Sequence, residues 1–242
     1  FSTLYDQVYA DKRIWGAHAN LEVTNQIGLN LTYDDFNDDT GQIKRDGTSG
    51  VSWQIDEYWK VSFGVTYTEL VSPIAIRSGK SGYDGSRLDA GVRVDYKWSE
   101  DLSLYVFGQG TLDRSGDIER NDLIGVGSKF RITDKIGAEA EVSYGTHGLG
   151  GLAALTYDPT ADDHYYIGYR LDPDRAFDLD RSNNLVGTDK GVIVGGMRRR
   201  LSDLATAYAE NSYDMFGRRT SLTQTYGVVY TPDDTWTING GF

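Results

Sequence analysis

Apolar and polar residues alternate through stretch after stretch of this chain, and each stretch is roughly ten residues long. In one of them the alternate positions are Trp59, Val61, Phe63, Val65 and Tyr67, and the residues between are small, polar or charged. Successive side chains of a β-strand point to opposite faces, so each stretch predicts a strand with one apolar and one polar face. A strand of that kind separates an apolar phase from water.

The composition restricts how such strands can be arranged. The 242 residues include 36 acidic and 24 basic side chains and no Cys. Without Cys there is no disulfide framework and no thiolate metal site, and we expect neither a bound metal nor an organic cofactor. The formal charge of −12 argues against a nucleic-acid partner, which requires a basic surface. No segment approaches the roughly 18 apolar residues of a spanning helix, so any membrane signal lies in the alternation itself.

Fourteen segments carry the alternation, and a fifteenth, at 1–9, carries it more weakly. We predict strands near 15–23, 26–34, 50–56, 58–68, 87–97, 102–112, 122–131, 136–145, 150–157, 164–171, 191–200, 204–213, 221–230 and 235–242.

The connections between these segments alternate in length. Short ones, rich in Asp, Asn, Ser and Pro, fall at 24–25, 56–57, 99–101, 133–135, 158–163, 202–203 and 232–234. Longer loops fall at 35–49, 69–86, 113–121 and 172–190, with shorter ones at 146–149 and 214–220. Short turns on one rim and long loops on the other predict an all-β fold, a transmembrane antiparallel up-and-down β-barrel of about 14–16 strands. No composition shift divides the chain, and we expect a single domain over residues 1–242.

The last residues, Trp236-Thr-Ile-Asn-Gly-Gly-Phe242, alternate and end in Phe. Together with the strand pattern, this ending resembles bacterial outer-membrane β-barrel proteins over almost the whole chain, although no motif identifies a subfamily. The resemblance implies a multi-pass protein of the cell outer membrane, surrounded by outer-membrane lipid and lipopolysaccharide. It also implies that the last strand ends on the periplasmic side, where the short turns lie.

The final strand disagrees with that implication. If the turn at 231–234 is periplasmic, the strand at 235–242 runs outward and Phe242 lies at the outer rim. Either one strand is miscounted, or the chain continues and forms part of a larger barrel. The chain begins at Phe1 without a secretory leader, so we expect a mature form or an excerpt.

The alternation assigns side chains to the two faces of each strand. We predict that an aqueous lumen is faced by Lys60, Arg87, Asp89, Arg93, Asp95, Lys97, Lys129, Arg131, Glu139, Glu141, Arg170 and Arg198. We predict that the membrane is faced by Trp59, Val61, Phe63, Val65, Val92, Val94, Ile136, Ala138, Val142 and Trp236. The inward charges either screen solutes in a water-filled passage or pair across strands and hold a narrow lumen shut. For any single residue we favour pairing.

Other functional patterns are weak. Two acidic segments, 33–40 and 171–180, concentrate oxygen ligands of the kind Ca²⁺ prefers, but neither has the EF-hand spacing. We interpret them as solvated loop charge near an anionic lipopolysaccharide surface. The chain has 3 His, and His147 lies in no Gly-x-Ser-x-Gly context and has no acid at a spacing that suggests an orienting partner. We therefore expect no enzyme and no catalytic residues.

Three classes of function remain. The first is a porin-like pore or export conduit for a polar solute or an exported polymer, favoured by the charged inward face. The second is a surface-binding or anchoring barrel with a closed lumen and acidic outer loops. The third is a soluble β-sandwich, whose buried faces would also alternate. The uniform strand length, the rim aromatics and the lack of a second apolar face argue against the sandwich.

Overall fold

The computed structural model describes residues 2–8, 12–38, 41, 43–71, 84–171, 191–214, 221–232 and 238–241. All the regular structure in these ranges is β-strand. In this part of the chain no helix is long and apolar enough to cross a membrane.

The described ranges contain fifteen strands in chain order. They are β1 (Ser2–Val8), β2 (Lys12–Glu22), β3 (Ile27–Asp38), β4 (Ile43–Gln54), β5 (Trp59–Val71), β6 (Gly85–Lys97), β7 (Leu102–Gly116), β8 (Leu123–Thr133), β9 (Ile136–Gly145), β10 (Gly148–Tyr157), β11 (Asp163–Leu171), β12 (Val192–Ser202), β13 (Ala205–Asp214), β14 (Ser221–Tyr230) and β15 (Ile238–Gly241).

Each strand pairs antiparallel with the next, which gives one sheet in the order β1 to β15. The predicted up-and-down all-β fold is confirmed, and each predicted segment contains a strand. In an antiparallel meander the odd-numbered strands share a direction, so the two edge strands β1 and β15 run the same way. No pairing among the described residues joins these two strands, and the sheet is open there.

The strands extend further into the predicted loops than expected. The predicted loop at 35–49 is mostly strand, because β3 runs to Asp38 and β4 begins at Ile43. Polar side chains there are satisfied across the sheet: Arg45 donates to Asp35 at 2.9 Å and to Glu69 at 3.1 Å. Once charged side chains have cross-strand partners, a polar sequence can continue the ladder.

The short turns repeat one hydrogen-bonding device. An Asp, Ser or Thr oxygen at the start of the turn accepts the backbone N–H groups two and three residues later. Asp56 does so for Tyr58 and Trp59, both at 2.8 Å. Thr24, Ser99, Thr133 and Thr160 do the same in four other turns. These side chains accept hydrogen bonds from backbone N–H groups in the turn. This explains why Asp, Ser and Thr recur at the short turns of the sequence.

The two faces of the sheet differ in polarity and in exposure. Phe63 and Val92, on the face that we call outer, are 48% and 45% exposed. Asp89 and Arg93, on the face that we call inner, are 0% and 4% exposed. Because the described residues form a single layer, only neighbours on the same face can cover these polar groups, so the sheet curls toward its inner face. The arrangement is the inverse of a water-soluble protein.

Aromatic rings lie at both ends of the outer face. On the short-turn side Trp59 and Tyr96 have ring centroids 4.5 Å apart, and Tyr157 and Tyr165 continue this row. On the long-loop side Trp15 and Tyr33 lie 5.1 Å apart. Between the rows the outer face exposes apolar side chains such as Phe63, Val92 and Val126, as expected for the apolar band of a sheet that crosses a bilayer.

Candidate functional site: the charged inner face

The register places all twelve predicted inward residues on the inner face. Residues that are directly paired across two strands lie on the same face of the sheet. Lys60 is paired with Asp95, Lys129 with Glu139, and Arg198 with His164. Nine of the ten residues predicted to meet lipid lie on the outer face, and Trp236 lies outside the described residues. A single register thus separates the two sets, as period-two alternation requires.

The centre of the inner face is a network around Arg93. Its Nε and Nη2 donate to the carboxylate of Asp95 at 3.0 and 2.7 Å. Its guanidinium lies 3.7 Å from the ring centroid of Tyr105. The Tyr105 hydroxyl donates to Glu139 at 3.0 Å and to Glu141 at 2.9 Å. These side chains are held against the inner face by a bidentate ion pair, a cation–π contact and the hydrogen bonds of the Tyr105 hydroxyl.

A second network lies nearer the long loops. Arg87 Nε donates to Asp89 Oδ2 at 2.7 Å, and the Thr111 hydroxyl donates to the other oxygen of the same carboxylate at 2.7 Å. Asp89 is fully buried, so both partners are needed to offset the cost of removing its charge from water.

This network holds a segment that we call the inner loop, residues 117–122. Arg87 Nη1 donates to the Glu119 carbonyl at 2.9 Å, and the Asn121 N–H donates to the Thr111 hydroxyl at 2.8 Å. Ile118 and Asn121 are buried. Arg87 and Thr111 belong to the inner face, and Thr146, in the turn between β9 and β10, donates to the Arg120 carbonyl at 3.1 Å. The connection between β7 and β8 therefore lies near the long-loop end of the inner face.

The electrostatics of the inner loop come from Arg120 and Asp122. Arg120 donates to both oxygens of Asp122 at 2.7 and 3.2 Å, and the Thr111 N–H donates to Oδ1 at 2.8 Å. The hydrogen bonds from Arg120, followed by that from Thr111, hold the pKa of the Asp122 carboxyl below its usual range.

Four aromatic side chains on the inner face were missed by the sequence analysis. Each lies over a glycine of the next strand: Tyr105 over Gly127, Phe107 over Gly125, Tyr166 over Gly196 and Tyr208 over Gly227. A Cβ at Gly127 would lie 2.2 Å from Tyr105 Cζ. The sequence does show these aromatic residues at the same alternate positions as the charged residues. The paired glycines can be recognised only once the strand pairing is known.

The half of the inner face formed by β10 to β13 is less polar than the half before it. Leu152, Ala154 and Val194 form a buried cluster against Tyr166, whose hydroxyl donates to Glu210. Arg170 is buried directly opposite Leu152. The inner face is therefore not uniformly charged.

The remaining sequence motifs have structural roles where they can be seen. In the first acidic segment Asp34 bonds His18 at 2.8 Å and Asp35 pairs with Arg45, so these acids belong to β3 and not to a solvated loop. The second acidic segment, from 172 onward, lies outside the described residues. Arg199 lies on the outer face at 3.3 Å from Asp163, whereas Arg198 and Arg200 lie on the inner face.

Comparison with known proteins gives a structural answer only. No protein-family model and no curated protein sequence matches the chain. The solved structure of CdiB from Acinetobacter baumannii superposes with a TM-score of 0.57 at 12% identity, covering 98% of this chain and 54% of CdiB. The likeness shows the fold, which is that of an antiparallel up-and-down β-barrel. Strands with an exposed apolar face are of the kind that can cross a bilayer.

The barrel described here is about half the length of the CdiB chain that it matches. Mutant forms of the porin of Rh. blastica also match: one has a TM-score of 0.45 at 12% identity, covering 95% of this chain and 90% of the porin. A second mutant form, at the same TM-score and identity, covers 99% of this chain and 96% of the porin. At 12% identity the likeness to CdiB concerns the fold and not the activity.

Proposed function

We propose that the chain forms the wall of an outer-membrane channel or transport barrel for polar solutes. The observation that carries this proposal is the inverted polarity of the sheet, in which Phe63 and Val92 are exposed while Asp89 and Arg93 are shielded on the concave side. An apolar outer face requires lipid, and a charged inner face requires water or ionic partners.

The number of strands favours an open passage rather than an interior filled by side chains. About eight strands close around an interior that side chains fill, whereas barrels of about 16–18 strands leave an aqueous channel. The described sheet has 15 strands. Its large inner aromatics, such as Tyr105 and Tyr208, lie over glycines of neighbouring strands, so they coat the wall instead of filling the interior.

We propose no catalytic activity. The acids at the centre of the inner face have structural partners: Asp89 is held by Arg87, Asp95 by Arg93, and Glu139 by Tyr105. These bonds give each of the three acids a structural role.

Conductance across a planar bilayer tests the channel. Reconstituted protein is expected to give discrete conductance steps, and liposomes that contain it should swell in small sugars. A matched preparation of heat-denatured protein is the control. Folded protein that gives neither conductance nor swelling would favour the alternative, an anchoring or surface-binding barrel whose lumen is closed. The inner loop, which lies on the inner face, is the described feature that favours this alternative.

A further inference from the structure

Basic side chains are concentrated on the inner face near the short turns. In β2 to β14 we consider the first two inner-face positions of each strand, counted from its short turn. Six of these positions are basic and three are acidic. The basic residues, which we call the basic band, are Lys60, Lys97, Lys129, Arg131, Arg198 and Arg200. The acidic ones are Glu22, Asp95 and Glu139.

Only part of the basic band is left without a partner. Lys129 and Arg198 take part in interactions of their own, and Asp95 is taken by the bidentate bond from Arg93. Glu139 accepts from the Tyr105 hydroxyl. In the part of the chain that the structure describes, Lys60 and Lys97 have neither an ion pair nor a side-chain hydrogen bond. Their ammonium groups therefore remain available to a solute on the inner face.

The acidic side chains of this end of the sheet lie in the turns instead. The described short turns contain Asp56, Glu57, Glu100, Asp101, Asp134, Asp158, Asp162 and Asp203, against the single base Lys135. Several of these acids are already engaged: Asp101 pairs with Arg131 at 2.7 Å, and Asp162 with Arg200 at 2.7 Å. The rest face bulk solvent, where salt at about 0.1 M screens a charge beyond about 10 Å.

We infer that the passage prefers anionic solutes, such as those with phosphate or carboxylate groups, and that Lys60 and Lys97 of the basic band set this preference. The inference rests on the proposed channel function and names its solute class. The total charge of −12 would suggest the opposite preference. The preference depends on where the charges lie and not on their sum. A solute in the passage contacts the inner face, whereas the acidic turns lie outside the passage.

Reversal potentials in a potassium chloride gradient test the inference on the reconstituted full chain. Chloride is expected to be more permeant than potassium. The double variant Lys60→Gln/Lys97→Gln should lower the anion-to-cation permeability ratio by about twofold to fivefold, the size expected from removing charges at contact distance in water. Arg199→Gln is the matched control, because it removes one positive charge at the same level on the outer face. The control should leave the ratio unchanged.

The outcomes separate this inference from the channel itself. Absence of conductance in folded wild-type protein contradicts the proposed function. Conductance that prefers potassium overturns the inference and leaves the channel in place. A ratio that responds equally to Arg199→Gln and to the double variant also overturns it, since the charge on the inner face would then have no special effect. Retention of β-sheet circular dichroism shows that each variant is folded.

Discussion

At the scale of single residues, glycine and aromatic side chains together shape the inner face. Tyr105 can lie flat only because Gly127, its directly paired neighbour, has no Cβ. That position lets its ring meet Arg93 and lets its hydroxyl reach both Glu139 and Glu141. The charged network therefore depends on a residue that carries no functional group.

Gly127→Ala tests this dependence. The new methyl group would overlap the Tyr105 ring and force it off the wall, so we expect the free energy of unfolding to fall by about 1–3 kcal/mol. Gly108→Ala is the control, because a Cβ there meets its nearest atom, the Leu123 carbonyl oxygen, at an ordinary 3.5 Å. Urea unfolding of protein in lipid vesicles, followed by Trp fluorescence, measures both. Equal losses in the two variants would contradict the prediction.

At the scale of elements, the strands and the inner loop are held in different ways. Each strand is fixed by its ladder, and its two faces follow from period two. The inner loop is not part of a strand ladder. Two backbone bonds hold its ends, and the rest of its support comes from side chains such as Arg87, Thr111 and the Arg120–Asp122 pair. A strand is therefore robust to a single polar substitution, whereas the loop is not.

The inner loop is expected to loosen in acid. The pKa of Asp122 is lowered in the folded protein, so its contribution to stability is present above its unfolded value of about 4 and is lost as the pH falls through the lower folded value. Pepsin cleavage near 117–122 should therefore increase as the pH is lowered below about 4.

A pair of variants separates the Asp122 contribution from general acid damage. Asp122→Asn should raise hydrogen exchange of the inner loop already at neutral pH, because the ion pair with Arg120 is lost. Asp117→Asn, in the same loop, removes an acid whose side chain has no contact with Arg120 among the described bonds. Similar exchange in the two variants would refute the role given to Asp122.

Cysteine labelling tests the assignment of faces along β5 and β6. The chain has no native Cys, so single substitutions report one position each. We expect Lys60→Cys and Lys97→Cys to react with a membrane-impermeant thiol reagent in lipid vesicles, and Phe63→Cys and Val92→Cys to be protected by lipid. The reverse pattern would mean a one-residue slip of register, which exchanges the two faces.

At the scale of the whole molecule, stability depends on the surroundings as much as on internal packing. Few apolar side chains are buried within the described sheet, and the small cluster of Leu152, Ala154 and Val194 lies on the inner face. In the described sheet, large apolar side chains of the outer face such as Phe63 and Ile124 are exposed. Lipid must therefore supply the contacts that a hydrophobic core supplies in a soluble protein.

A charge at the middle of the outer face should be costly. Val92→Arg is expected to lower the free energy of unfolding by about 2–4 kcal/mol, whereas the same change near the interface costs about 0–1 kcal/mol. Val23→Arg, in the first short turn, is the control at the membrane edge. Denaturant unfolding in lipid vesicles measures the difference. If both variants lose the same stability, Val92 does not lie in the membrane.

The sequence by itself determined the strands, the turns and the two faces, because all three depend on local chemistry. Alternation assigned Phe63 outward and Arg93 inward without knowledge of any partner. The β3 and β4 ends were wrong, since the pairing of Arg45 with Asp35 and Glu69 comes from three strands. A local sequence pattern cannot predict side-chain partners that lie in neighbouring strands.

The tertiary structure alone decided which inward groups are available. Arg93 and Lys97 share a face and a strand, yet Arg93 is buried between Asp95 and Tyr105 while Lys97 is exposed. The inner loop and the aromatic residues over glycines depend on register between strands, which sets the actual contacts. Period-two alternation fixes the side of the sheet that a charge occupies, but only the assembled neighbours determine whether that charge is neutralised or meets the passage.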